Sequence, residues 1–154
     1  MKSLNELIKE LSINEVIKAL VTAYRLGNVD YLASSIELLH EELTYTVSEN
    51  ETLTGDALER ASKLHALYCL GLGLLRSLGG GSPITNYDEL VNAVLRANDL
   101  SSLTQFLMAT TMQLVKGDYS LISKVTAIHQ EVGNELIKGI ISSFLNLVNI
   151  LSAT

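Results

Sequence analysis

A chain of 154 residues is long enough to bury a stable core without metal or disulfide staples, and its single cysteine, Cys69, excludes an intramolecular disulfide framework. Hydrophobic residues make up 47% of the chain and the formal net charge is −6, a balance unlike that of a generic nucleic-acid coat, whose surface is basic. Ser, Thr and Asn interrupt the apolar runs before they reach the roughly 20 residues of a membrane span. The opening MKSLNELIKELSINEVIKAL alternates charged and apolar residues at helical spacing, where a signal peptide would carry a basic head and an unbroken apolar stretch. The expectation is one cytoplasmic helical domain over residues 1–154, without membrane association.

In chain order, Ser3 to about Glu10 reads as a short first helix. SINEVIKALVTAYRLGN reads as a second, with Ser12 and Glu15 at capping-box spacing and Gly27-Asn28 as its stop. VDYLASSIELLHEEL places Leu32, Ile36, Leu39 and Leu43 on one stripe of a third helix. The period then changes. In LTYTVSENETLTG, Leu43, Tyr45 and Val47 alternate with Thr44, Thr46 and Ser48, which predicts a small β-hairpin over 43–54 with its turn at Glu49-Asn50-Glu51. An isolated two-stranded hairpin is marginal in water, so it must lean on the helices, join a partner or move.

DALERASKLHALYCLGLGLLRSL is apolar on nearly every side and predicts a central buried helix. Ser62, Ala66, Cys69, Gly73 and Ser77 recur at steps of three or four, a ridge that lets a neighbouring helix approach closely. Gly71 and Gly73 each cost roughly 1 kcal/mol relative to Ala inside a helix, and close packing is the plainest reason to have them. GGGSP over 79–83 is a flexible joint between front and back halves. Behind it lie a helix opened by Thr85 or Asn86, a second running to Lys116, a third to about Val132, and a last one from Gly133 to Leu151, either separate from the third or continuous with it. The fold class is therefore mainly α, a bundle of about six or seven helices with a β-hairpin insertion.

No catalytic or metal signature survives inspection. His40-Glu41-Glu42-Leu43-Thr44 begins like a zinc-protease motif, but Thr44 stands where the second histidine must be. Glu37 and His40 form one Glu-x-x-His pair where a di-iron bundle needs two, and neither His65 nor His129 has a Glu three residues earlier. No Gly-x-Ser-x-Gly elbow is present, and Cys69 lies in an apolar segment. Neither an enzyme nor a cofactor is expected.

Charge is segregated along the chain. Between Arg25 and Arg60 stand eight acids and no Lys or Arg, which leaves nine acids against eleven basic residues elsewhere. Arg60, Lys63 and Arg76 on the central helix, with Arg96, Lys116 and Lys124 behind it, are the candidate nucleic-acid contacts. Two segments, Leu100 to Val115 and Gly139 to Thr154, carry no charge at all, which fits either core or a covered protein interface. Tyr45, Val47 and Leu53 of the hairpin and Phe144 and Leu147 of the last helix are the candidate partner contacts.

LTYTVSENETLTG followed directly by ERASKLHALYCLGLGLL, and the later ELVNAVLRANDLSSLTQFLM, give the chain a layout that resembles the small subunit of the archaeal type I-A CRISPR effector (Cascade) complex. The resemblance covers the layout of most of the chain, a small β element set into a helical bundle. It implies a non-catalytic subunit of an antiviral RNA-guided assembly, packed beside other subunits, with crRNA or single-stranded DNA touched mainly indirectly. The alternative is a helical homo-oligomeric adaptor or regulator that binds another protein without nucleic acid.

Overall fold

The computed structural model describes all 154 residues, and every regular element in it is an α-helix. Eight are present: α1 (Leu4–Lys9), α2 (Ile13–Arg25), α3 (Val29–Ser48), α4 (Gly55–Gly79), α5 (Tyr87–Ala97), α6 (Leu100–Leu114), α7 (Ile122–Glu131) and α8 (Glu135–Ala153). The mainly-α bundle is as the sequence predicts, with one or two helices more. The last two are separate because Val132 takes an extended conformation and Asn134 caps α8, its Oδ1 accepting from the Ile137 N–H at 3.0 Å.

The β-hairpin is absent. Residues 43–48 are the last turns of α3, and 49–54 form the connection to α4. The reason lies in the helical stripe: Leu32, Leu39 and Thr46 recur at seven-residue spacing and are all buried, so the apolar face of α3 continues through the segment that alternates. Burial beside α4 outweighs the few tenths of a kcal/mol per residue that Thr, Val and Tyr lose in a helix. The polar residues are served inside the helix: Thr46 Oγ1 donates to the Glu42 carbonyl at 2.9 Å and Ser48 Oγ to the Tyr45 carbonyl at 3.0 Å. Asn50 Nδ2 donates to the Thr46 carbonyl at 2.7 Å and covers the C-terminal end.

The helix ends follow local chemistry. Ser3 caps α1 through the Glu6 N–H, so the working Ser-x-x-Glu box is Ser3–Glu6; Ser12 makes no side-chain cap bond. The predicted stop at Gly27 is realised: Gly27 has φ +67°, and the Asn28 N–H reaches back to the Ala23 carbonyl at 2.8 Å, with Gly27 N–H to Tyr24. Gly117, φ +84°, ends α6 in the same way.

At the centre, α4 packs against α3, α6 and α8, and less extensively against α2. It is the most enclosed helix along its middle, where Leu64, Leu67, Leu70 and Leu74 are fully covered. The ridge of small residues works as the sequence predicts. A Cβ placed on Gly73 would stand 2.5 Å from Thr111 Cβ and 2.9 Å from the Met108 carbonyl oxygen of α6, closer than side chains approach. Further along the same side, Gly139 of α8 lies directly against the Ser62 hydroxyl. A contiguous hydrophobic cluster of 30 residues draws on both sides of the Gly79–Pro83 segment, so that segment joins two parts of one core. Arg76 holds it down, donating from Nη2 to the Ser82 carbonyl at 2.7 Å.

Candidate functional site

Most of the basic residues singled out in the sequence are already engaged. Arg60 bridges to Glu42 of α3 at 2.8 Å with both side chains largely covered, which ties α3 to α4. Lys63 pairs with Glu59 one turn back at 2.7 Å, and Arg76 serves the loop carbonyl. Lys124 of α7 stands 3.6 Å from Asp88 of α5. Only Arg96 and Lys116 of that set are exposed and without an acidic partner within 4.0 Å. They sit at the C-terminal end of α5 and just beyond α6.

The histidines and the cysteine hold structure together. His65 Nε2 and Thr104 Oγ1 are 2.8 Å apart across the α4–α6 contact, and the Thr104 hydroxyl donates to the Leu100 carbonyl at 2.9 Å. Its free lone pair therefore accepts from the imidazole, which fixes the proton on Nε2. Burial pushes the His65 pKa down and the Cys69 thiol up to about 12, so at neutral pH one is an uncharged imidazole and the other an un-ionised thiol. His129 and Ser142 are 2.8 Å apart between α7 and α8. His40 lies beside Tyr68 with ring centroids 5.6 Å apart. No three His, Cys, Asp or Glu side chains converge in a way that could hold a metal ion.

The two uncharged segments turn out differently. In α6 nine of fifteen residues are buried, and Thr110 and Thr111 satisfy their hydroxyls by donating to carbonyls four residues back at 2.8 and 3.0 Å. Its lack of charge is a property of core. In α8 six of nineteen residues are buried. Ile137, Ile140, Ile141 and Phe144 are sealed in the core, while Ser142, Asn146, Asn149 and Ala153 recur at intervals of four, three and four on the open side. By length and composition α8 is the one helix apolar enough to cross a membrane; its apolar stripe packs mainly on α4, with α7 and α2 beside it, and the opposite stripe is Ser, Asn and Ala.

Phe144 and Leu147 are 0% and 2% exposed and pack inside the molecule; as surface contacts they are corrected. The exposed residues of α8 beside them are Ser142, Asn146 and Asn149, which a search for large apolar side chains passes over. Tyr45 and Val47 are 60% and 47% exposed on the last turns of α3, and Leu53 is half-buried in the α3–α4 connection. The polar stripe of α8 is flanked on one side by an open groove against α4 and α7, walled by Ser62, Lys63, His129 and Lys138. No protein-family model, curated protein or solved structure matches the chain.

Proposed function

We propose that this chain is a non-catalytic helical subunit that docks on another protein through the outer stripe of α8, and that the assembly is an RNA-guided antiviral effector complex. The observation that carries the docking is that α8 bears no ionisable side chain from Gly139 to Thr154 although its outer stripe is open. The exposed faces of α2, α3, α4, α5 and α7 all carry Lys, Arg, Glu or Asp. A face of Ser, Asn and Ala is covered by a partner at low desolvation cost and lets helices approach closely, whereas lysines and glutamates there would have to shed water. The choice of assembly comes from the helical layout alone. The β element that belongs to that layout has no counterpart here; nucleic acid is touched mainly indirectly, a reading supported by the engagement of Arg60, Lys63, Arg76 and Lys124 within the chain.

The test is affinity purification from the native host of the wild-type chain and of Asn146→Lys and Asn149→Glu. Recovery of other effector subunits with short RNA, lost in both variants while their circular dichroism stays native, is expected. A homo-oligomer free of RNA would overturn the RNA-guided assignment and leave a helical adaptor. An α8 variant that retains every partner would overturn the docking face.

A further inference from the structure

Away from that surface, the last turns of α2, α6 and α8 border a partly open cavity of about 270 Å³. Val21, Leu74, Leu114 and Val148, all at least nine-tenths buried, line its apolar part. Arg25, Tyr24 and Tyr119 also line it. Arg25, an exposed residue, carries the only charged side chain on the wall and has no salt-bridge partner among the side chains; its one hydrogen-bond partner is the main-chain oxygen of Thr154, at a long 3.3 Å. Neither tyrosine hydroxyl bonds to the protein.

We propose that this cavity binds a small amphipathic monocarboxylate, its body among the aliphatic side chains and its carboxylate on Arg25 in place of the Thr154 oxygen. The volume lies at the lower edge of the few hundred Å³ of small-molecule pockets, which suits a short aliphatic chain or a single ring. An apolar wall with one guanidinium and two phenols is the pattern of a site that orients its ligand by a polar head. The C-terminal dipoles of α2, α6 and α8 oppose an anion, but carbonyls of their last turns are engaged in the capping bonds to Gly27, Asn28, Gly117, Asp118 and Thr154. The full charge of Arg25 then sets the sign of the head group.

The test is an amide chemical-shift titration with hexanoate, benzoate and hexan-1-ol on the wild-type chain, Arg25→Met, and the cavity-filling Leu151→Trp and Val115→Phe. The expected result is saturable shifts around the cavity, hexanoate binding tighter than hexan-1-ol by on the order of tenfold. That preference should vanish in Arg25→Met, and both ligands should be blocked by whichever filling variant folds. The proposal is overturned if no probe saturates, if the alcohol binds the wild type as well as the carboxylate does, or if the filled cavity still binds.

Discussion

His65 shows how one buried side chain makes stability depend on pH. Its imidazole donates to Thr104 across the α4–α6 contact and meets Tyr68 edge-on at 6.2 Å. The ring is held neutral because burial depresses its pKa below 6.5. As pH falls through 6.5 the unfolded chain takes up a proton and the folded chain does not. Stability contributed by the neutral ring is therefore complete above 6.5, declines below it, and levels off under the depressed folded value. The slope is at most about 1.4 kcal/mol per pH unit. His65→Gln should unfold at a lower urea concentration at about pH 7.5 yet lose less than the wild type between there and about pH 5.5. Parallel pH dependences for the two proteins would place the titration elsewhere. The lowered pKa values of Glu59 and Asp118 act in the more acidic carboxylate range and do not overlap this window.

Between elements, spacing is set by the smallest residues. Gly139 lies against the Ser62 hydroxyl, and that hydroxyl is buried without a partner. Gly139→Ala must push α8 off α4 and should cost about 1–3 kcal/mol, less what alanine returns in helix propensity. Ser62→Ala removes the obstructing oxygen and an unsatisfied buried donor at once, so alone it should be near neutral or stabilising. Combined with Ser62→Ala, Gly139→Ala should cost less than it does alone, with a coupling energy on the order of 1 kcal/mol in a double-mutant cycle; strict additivity would mean that the two helices do not meet there. The ridge of small residues on α4 was legible in the sequence because steps of three and four determine which side chains share a helix face. The end of α3 was not, because the same residues satisfied two periods. Alternation marked Leu43, Tyr45 and Val47, while the seven-residue spacing of Leu32, Leu39 and Thr46 marked a helix. Only the presence of α4, with Arg60 held by Glu42, decides between them. The absence of charge on α6 and α8 was equally plain, but which of the two is covered depends on neighbours that no local pattern contains.

At the scale of the whole molecule, α4 belongs to the front half by sequence and to both halves by packing, since its main partners are α3 before the Gly79–Pro83 segment and α6 and α8 after it. The glycine run reads as a flexible joint between two halves of one domain, yet the hydrophobic cluster draws on both halves. Neither half can bury its apolar face alone. Residues 1–79 would leave α4 uncovered where α6 and α8 lie, and residues 84–154 would lose the helix around which they assemble. A protease site inserted between Gly80 and Gly81 should therefore be cut without releasing either fragment. The nicked chain should elute as one species and unfold in a single transition at a lower urea concentration than the intact chain, because the link that held the halves together is gone. Residues 1–79 expressed alone should lack a cooperative transition. Fragments that separate under native conditions, or a front half that unfolds cooperatively alone, would show that the core is divided at the glycine run after all.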